Sequence, residues 1–473
     1  MTRQSDQIIK KESIYNYICL FIFVFICYSS VFIRSYGLSD DYSVIYYHYT
    51  NPGWNVQWES MSGRPVYGAL RQIMTWTVGK VSAFSYFRFV AVFFIASYSV
   101  LLYIYMNKKH IFESNIIRFS VASSLAFLPS LQIYASWTIT YPFILSIILA
   151  FFAFTFVNKN IGKENINIIV GYLMLAISFL IYQPTGMIFV FFVFIKTFFE
   201  DGDILKKIIR NGIILFCAML TNFIFIKIYT HLYGSTGREA LNLHFFQKVL
   251  WFFNRPFMDA IANYNIHPSV FYNVVSACII LCGVWFTPKK WNFFVKILIV
   301  VAFCFASYMP NIMVAETSSP YRTLVGVESI LAVLFLNGIF NICSRFISYH
   351  RYVFLFVMPC IAFSAIYNIN YYIIDVQQHQ LSDLAAAFKF VPRGRTIDFD
   401  IRGVDGNAYS KFNQYEYGTI SINNTWTPKA MAMDIIKNNG LSDIKMTDGI
   451  LVSDPGNKNI YYIKMSEIKN MGY

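Results

Sequence analysis

The chain has 473 residues, of which 56% are hydrophobic and 13% carry a charge. That charged share is about half the average for soluble globular domains, so the composition excludes an ordinary soluble protein. The formal net charge of +13 would suggest a nucleic-acid partner for a soluble domain, but here the basic residues lie largely in turns between apolar runs. We therefore predict an integral membrane protein that contacts the lipid bilayer and has no nucleic-acid partner.

Apolar runs long enough to cross a hydrocarbon core of roughly 30 Å recur along most of the chain. The fold class that we expect is an all-α polytopic membrane protein with a small additional domain. The segment 186–199 is short, so the hairpin 166–199 is compatible with two spans or with a re-entrant loop. The pattern predicts about eleven transmembrane helices, near residues 14–33, 84–106, 116–133, 137–157, 166–181, 186–199, 208–229, 268–287, 292–309, 323–342 and 352–372.

The basic residues favour an orientation with the N-terminus in the cytoplasm. In that orientation every short turn assigned to the cytoplasm is basic, as the positive-inside rule requires. These turns contain Lys108, Lys109, Lys159, Lys206, Arg210, Lys289, Lys290 and Arg345. Eleven spans then place the C-terminal region on the opposite, external side of the membrane.

The composition becomes polar after Tyr372, with turn signals such as Asp454-Pro455-Gly456 between short runs. We predict a transmembrane domain over residues 1–375 and a small external α+β domain over residues 376–473. All eight cysteines fall within or at the edges of the predicted spans, which argues against a disulfide framework. The histidines show no metal-ligand spacing, and we predict no metal site and no cofactor.

An acidic pair, Asp40-Asp41, follows the first predicted span at the level of the lipid headgroups. A carboxylate at that depth can act as a general base toward the hydroxyl of an acceptor substrate. The structural alternative is a capped turn, because Ser39-Asp40-Asp41 is also common capping chemistry. A third acidic candidate, Glu316, precedes a late span and can cap it, pair with Arg322 or take part in catalysis.

Arginines at the predicted external level suit a substrate that carries a phosphate, because the guanidinium fork matches phosphate oxygens. The candidates for binding the phosphate are Arg64, Arg71, Arg88 and Arg322. Trp54 and Trp58 can stack on a sugar ring, and they can equally be interfacial anchors. Gly63-Arg64-Pro65 is also compatible with a plain helix start. Tyr182-Gln183-Pro184 is also compatible with a structural turn.

Three of these segments, in this order and topology, resemble the serotype-converting O-antigen glucosyltransferases of enteric bacteria and their phages. The first is the loop from Asp40-Asp41 to Gly63-Arg64-Pro65, and the others are Tyr182-Gln183-Pro184 and Glu316 through Pro320-Tyr321-Arg322. That family is part of the GT-C superfamily of multi-span transferases. The likeness covers most of residues 14–372, and the C-terminal region resembles the family in position and size alone.

The resemblance implies a GT-C-like enzyme of the bacterial inner membrane with a periplasmic C-terminal domain. It would move a glucosyl residue from undecaprenyl-phosphate-glucose to O-antigen repeat units of lipopolysaccharide, inverting the anomeric carbon. Asp40 or Asp41 would be the base, with Asp40 favoured, and Arg64 and Arg322 would stabilise the leaving lipid phosphate. Glu316 would hold Arg322 or bind the acceptor. The expected contacts to sugar and acceptor are Trp54, Trp58, Glu59, Tyr182, Gln183 and Tyr321.

Other functions share part of this pattern. An O-antigen polymerase is also polytopic and uses external arginines, although its main external loop usually lies between late spans. A transporter of lipid-linked glycans would more often carry ionisable residues deep within its spans. A non-catalytic scaffold would not require charged groups from three separate segments at one level of the membrane.

Overall fold

The computed structural model describes residues 2–51, 53–159, 164–200, 204–235, 237, 240–242, 244–404 and 411–468, with the main chain alone at 2–13, 204, 207, 350, 351 and 468. Within these residues the chain is mostly helical, with one small sheet near the C-terminus. This agrees with the predicted helical membrane protein that carries a small α+β region.

The N-terminal half alternates long apolar helices with short helices that lie between them. The helices of this half are α1 (Thr2–Cys27), α2 (Ser30–Ile33), α3 (Asp41–Tyr49), α4 (Trp54–Met61), α5 (Pro65–Thr77), α6 (Phe84–Lys108), α7 (Asn115–Leu125), α8 (Pro129–Ser136), α9 (Tyr141–Val157), α10 (Glu164–Ile181), α11 (Gln183–Gly186), α12 (Phe189–Phe199) and α13 (Ile204–Tyr233).

The second half of the chain also consists of long and short helices, up to the first strand of the sheet. Its helices are α14 (Phe245–Asn254), α15 (Pro256–Ile261), α16 (Val270–Trp285), α17 (Phe293–Ser307), α18 (Met309–Met313), α19 (Val325–Phe346), α20 (Phe354–Ile369) and α21 (Asp375–Ala387). A π-helical turn, Asn370–Ile374, joins α20 to α21, so one helical rod of 37 residues runs from Phe354 to Phe390. This rod passes through position 376, where the change of composition led us to place the domain boundary.

The C-terminal region contains a three-stranded parallel sheet with the strand order β2-β1-β3. Its elements are β1 (Thr396–Asp400), α22 (Thr427–Asn438), β2 (Lys445–Met446), β3 (Ile460–Lys464) and α23 (Met465–Ile468). Thr396 of the central strand pairs with Lys445 on one side and with Ile460 on the other. Ile397 and Phe399 on one face of the strand and Asp398 on the other are fully buried, as expected for a strand that is covered on both faces.

Among the described residues, six helices are long and apolar enough to cross a membrane, or seven if the bent pair α7 and α8 is one span. The prediction of several helices suited to spanning a membrane is therefore confirmed. Four further predicted spans coincide with shorter apolar helices, so the count of eleven spans and the GT-C fold stay predictions. The six long helices are Val81–Lys108, Thr138–Val157, Glu164–Ile181, Ile208–Tyr233, Val325–Phe346 and Phe354–Phe390.

The surface of the helix bundle is apolar where the long helices face outward. Of the most apolar 18-residue stretch of α13, only 17% is buried. Side chains such as Phe216 of α13 and Phe363 of α20 are exposed. An apolar surface of this kind is unfavourable in water and suits a lipid environment. By contrast, 83% of the equivalent 18-residue stretch of α19 is buried, so α19 is the central helix of the bundle.

The helices α7 and α8 meet at an angle of 56°. Pro129 is the first residue of α8, where a missing N–H is tolerated, and the next N–H, of Ser130, donates to Glu328 of α19 at 3.2 Å. A side chain of the central helix therefore caps the broken helix. The cap sets the direction of α8 and, through it, the position of Trp137.

The turns that we predicted to be cytoplasmic contact one another at one end of the bundle. Lys109 pairs with Glu200 at 3.3 Å, and Lys289 donates to the Glu200 carbonyl at 2.5 Å. The other end of α6 lies about 38 Å away, because its 25 residues rise about 1.5 Å each. There the Val81 N–H donates to Asp434 of the C-terminal region at 2.9 Å. The C-terminal region thus packs on the end opposite to these basic turns.

Candidate functional site

Asp41 is part of the internal structure. It is fully buried at the start of α3, and its two oxygens accept main-chain hydrogen bonds from Leu38 (2.9 Å), Thr138 (3.3 Å) and Ile139 (2.9 Å). Burial raises the pKa of Asp41 to about 6, against these hydrogen bonds and the positive charge of Arg88, which lower it. With its oxygens occupied, Asp41 fastens the Asp40-Asp41 turn to the start of α9.

Asp40 has the opposite environment. Its side chain is half-buried, and one carboxylate oxygen, Oδ1, accepts a hydrogen bond from the indole N–H of Trp426 at 3.0 Å. The second oxygen, Oδ2, accepts no hydrogen bond from the part of the chain that the structure describes. Asp40 is therefore the member of the pair with a carboxylate oxygen that a ligand can reach, and its role as the base stays a prediction.

Arg64 joins two of the segments that we singled out. Its Nε donates to Gln183 at 3.1 Å, and its guanidinium carbon lies 4.7 Å from the centre of the Tyr182 ring. Nη1 lies 3.9 Å from a carboxylate oxygen of Glu59, which is beyond hydrogen-bond distance. Both terminal nitrogens of Arg64 are thus free of hydrogen bonds to the described residues. The side chain is 22% exposed, so these donors can meet a ligand.

Two predicted phosphate ligands are used internally instead. Arg71 is buried, donates to Glu59 at 2.6 Å and to Ser43 at 2.9 Å, and so ties α5 to α4 and α3. Arg88 is also buried, and it donates to the carbonyls of Val31, Arg34 and Tyr36 and to the hydroxyl of Thr138. The terminal nitrogens of both arginines donate to protein groups, and the Nε of Arg71, which has no partner, is buried, so neither arginine is retained as a phosphate ligand. Glu59, paired with Arg71, is likewise removed from the contacts to sugar.

Arg322 is held by a residue that the sequence did not suggest. Its Nη1 donates to Glu416 at 2.9 Å, and the carboxylate of Glu416 also accepts the N–H groups of Tyr321 (2.5 Å) and Arg322 (3.3 Å). The guanidinium carbon lies 4.9 Å from the centre of the Trp137 ring. Burial raises the pKa of Glu416, and the charge of Arg322 lowers it. The Arg322 side chain remains 23% exposed beside this fully buried carboxylate.

The prediction that Glu316 holds Arg322 is wrong, because Glu416 occupies that place. Glu316 is exposed, and its carbonyl accepts a hydrogen bond from Lys248, which fastens the turn to α14. Burial lowers the pKa of Lys248 to about 8, and the charge of Glu316 raises it. Tyr321 is fully buried against Tyr417, so it is part of the packing and cannot touch an acceptor.

Each of three tyrosines is influenced by two of the charges of Asp40, Arg64 and Arg322. Burial raises the pKa of Tyr67, and the nearby charges of Arg64 and Asp40 act on it in opposite directions. The pKa of Tyr182 is raised by burial and lowered by Arg322 and Arg64. Tyr415 has a pKa raised to about 12 by burial, with smaller effects of Arg322 and Asp40. We call the six residues Asp40, Tyr67, Arg64, Tyr182, Arg322 and Tyr415 the polar ring.

The remaining predicted contacts flank the polar ring. Tyr182 stacks on Phe143 with ring centres 3.9 Å apart, and Gln183 donates to the carbonyls of Ser62 and Gly63, so both hold Arg64 in place. Trp54 and Trp58 stack on each other at 5.8 Å, and Trp54 is 36% exposed. The two tryptophans therefore present part of an aromatic surface on α4.

A cavity of about 400 Å³ opens between α16, α19 and α20. Its walls are largely apolar, with Phe335 and Phe356 toward one end, and His267 and Asn368 toward the other. Phe356 and Asn368 are twelve residues apart on one helix, so the cavity extends about 18 Å along the spans. Asn413 donates from its N–H to the carbonyl of Ile266 at the His267 end. Residues 413–416 thus connect this end to the polar ring.

The residues that sequence reasoning missed come mainly from the C-terminal region. Glu416, Tyr415 and Trp426 contact residues 93 or more positions away, and no local spacing rule predicts such contacts. Trp137 and Tyr67 belong to none of the short motifs that the sequence analysis singled out. No cluster of three or more metal-ligating side chains occurs within the described residues. Comparison of the chain with protein-family models, with curated proteins and with solved structures finds no match.

Proposed function

We propose that the protein is a membrane glycosyltransferase that moves a sugar from a polyprenyl-phosphate carrier to a hydroxyl of an acceptor glycan. The observation that carries the proposal is the polar ring, in which a carboxylate with an open oxygen and two partly exposed guanidinium groups act electrostatically on the same three tyrosines. A general base and a pair of phosphate-binding cations are the two parts that such a transfer requires.

In the proposed reaction the acceptor oxygen attacks the anomeric carbon of the donor sugar. The hydroxyl proton passes to Oδ2 of Asp40 as the new carbon–oxygen bond forms, and the bond from the anomeric carbon to the phosphate oxygen breaks. Arg64 and Arg322 stabilise the charge that develops on the leaving polyprenyl phosphate. Attack from the face opposite the phosphate inverts the anomeric carbon. Glucose as the sugar and an O-antigen repeat as the acceptor are the substrates that the family resemblance suggests.

The apolar cavity supports a lipid-linked donor over a soluble one. It lies among candidate membrane spans, and Phe356 at its wall is 72% exposed. An isoprenoid chain entering from the bilayer can bury apolar surface there, which favours binding by roughly 25 cal/mol for each Å² buried. The cavity leads toward residues 413–416, so a phosphate at its polar end would face the polar ring.

The test is transfer of labelled glucose from synthetic polyprenyl-phosphate-glucose to O-antigen repeats by the purified protein in detergent. We expect turnover by the wild type and a loss of about a hundredfold or more in Asp40→Asn, because a general base contributes 10²–10⁴-fold. Asp443→Asn is the matched control, since Asp443 is exposed and lies outside the polar ring. Unchanged turnover in a folded Asp40→Asn protein would remove Asp40 from the mechanism.

A polymerase is the second candidate, favoured by the two arginines of the polar ring. It would join whole repeat units instead of adding single sugars to an existing chain. Product length on a gel separates the two reactions. Absence of any transfer by the wild type, together with movement of the labelled lipid across vesicles, would instead support a transporter.

A further inference from the structure

We propose that residues 415–426 of the C-terminal region are part of the catalytic site, with Trp426 positioning Asp40 and Glu416 positioning Arg322. The inference rests on the proposed function, and it assigns roles to residues that neither the sequence motifs nor the family resemblance provides. It makes the C-terminal region a necessary part of the transfer machinery, whereas the resemblance implies only a domain that shapes the acceptor site.

The Asp40 end of this segment fixes both the main chain and the side chain of the base. Ser39, directly before Asp40, has a φ of 45°, which is uncommon for a residue other than glycine and requires support from its surroundings. Its N–H donates to the hydroxyl of Ser421 at 2.8 Å, and its hydroxyl accepts from Asn424 at 3.2 Å. The Trp426 N–H then fixes the rotation of the Asp40 carboxylate, which directs Oδ2 away from the indole.

The Arg322 end is fixed by Glu416, whose carboxylate accepts two main-chain N–H groups and one guanidinium N–H. Between the two ends the segment is anchored to the bundle. The Tyr417 hydroxyl donates to Gln132 of α8 at 2.8 Å, and Ser421 donates to Gln377 of α21 at 2.6 Å. One short, well-anchored segment therefore sets the distance between the base and the phosphate-binding arginine. Such preorganisation is what a charge-stabilising site requires.

The test is a double-mutant cycle on transfer activity with Trp426→Phe and Asp40→Asn. Phenylalanine keeps most of the ring and removes the N–H donor. We expect kcat to fall about tenfold in Trp426→Phe, with the KM for polyprenyl-phosphate-glucose within twofold of the wild type. In the Asp40→Asn background the same change should have no further effect, because Trp426 acts through the carboxylate. Trp76→Phe is the matched control, since Trp76 is 63% exposed and lies outside the polar ring.

An equal loss from Trp426→Phe in both backgrounds would mean a merely structural role and would overturn this inference, while leaving the proposed function intact. Full activity of Trp426→Phe would overturn it too. No turnover in the wild type would overturn the proposed function and this inference together. If Trp426→Phe does not fold, Ser421→Ala replaces it, because this change removes the hydrogen bond to Ser39 and should show the same non-additive loss.

Discussion

At the scale of single residues, the adjacent aspartates Asp40 and Asp41 differ in burial and in hydrogen bonding, and we therefore assign them different roles. Asp41 points inward and accepts three main-chain N–H groups, whereas Asp40 meets one indole N–H and is partly exposed. A buried carboxylate with such partners is retained for structure, because removing it leaves buried donors unsatisfied. The general base of the proposed reaction must instead have an oxygen that a substrate can reach.

The variant Asp41→Asn should therefore be less stable than the wild type, with a dependence on pH. Burial raises the folded-state pKa of Asp41 to about 6, above the value of about 3.9 expected in the unfolded chain. The folded chain then binds more protons between these values, so the stability contributed by this group is fully present below about pH 4 and is lost as the pH rises through about 6.

Asparagine has no such titration, so the stability gap between wild type and Asp41→Asn should be larger at pH 5 than at pH 7.5, by about 1 kcal/mol. Thermal unfolding of the detergent-solubilised proteins at the two pH values measures the gap. Asp40→Asn serves as the control and should unfold at nearly the wild-type temperature. A gap that grows toward neutral pH would contradict the assignment of Asp41 as a buried structural carboxylate.

The sequence identified four of the six residues of the polar ring, and it missed the supports that the C-terminal region provides. Asp40, Arg64, Tyr182 and Arg322 each belong to a short motif beside a predicted span, and the structure brings these motifs together. Arg71 and Arg88 have the same residue type at a similar level, so only their contacts distinguish them from Arg64. Glu416 and Trp426 depend on how a distant region folds back on the bundle, and local patterns contain no information about that.

At the scale of elements, the central helix α19 packs against α16 with their backbones in contact. A Cβ atom added to Gly283 would lie 1.9 Å from the carbonyl oxygen of Leu334, and one added to Gly338 would lie 2.1 Å from that of Ile279. The Asn337 side chain also donates to the carbonyl of Gly283 at 2.8 Å. Helices that associate within a membrane often have small residues at their interface, because these allow the two backbones to approach closely.

Gly283→Ala and Gly338→Ala should each destabilise the fold, because the helices must separate to make room for the methyl group. Overpacking of this kind costs about 1–3 kcal/mol. Thermal unfolding monitored by size-exclusion elution measures the loss. Gly212→Ala is the matched control on α13: no atom lies within 4 Å of the added Cβ, so its stability should be equal or higher. Wild-type stability of Gly338→Ala would show that the α16–α19 contact is looser than described.

An apolar helix or helix pair lies at every span that hydropathy predicted, but hydropathy did not predict where each helix ends. The break between α7 and α8 depends on Pro129 and on a cap from the distant Glu328, and the sequence gives no reason to pair these residues. The change of composition after Tyr372 marks where the surroundings become polar. It does not mark the end of a helix, since the rod continues to Phe390.

At the scale of the whole molecule, the polar ring and the C-terminal region lie at one end of the helices, and the predicted cytoplasmic turns lie at the other. The structure separates the basic turns from the C-terminal region, and which of the two ends faces the cytoplasm stays a prediction. A sugar acceptor outside the cytoplasm would reach the polar ring only if that end is external. Orientation in the membrane thus decides whether the proposed reaction has access to its acceptor.

Labelling with a charged, membrane-impermeant maleimide tests the orientation through cysteines introduced at two exposed lysines, Lys458 near the sheet and Lys290 in a predicted cytoplasmic turn. In bacterial spheroplasts Lys458→Cys should react at once, whereas Lys290→Cys should react only after lysis. The wild type is the control, because its eight cysteines lie in or beside apolar helices that a charged reagent enters poorly. The reverse pattern would place the polar ring in the cytoplasm, where an external glycan could not reach Asp40, and would exclude the proposed acceptor.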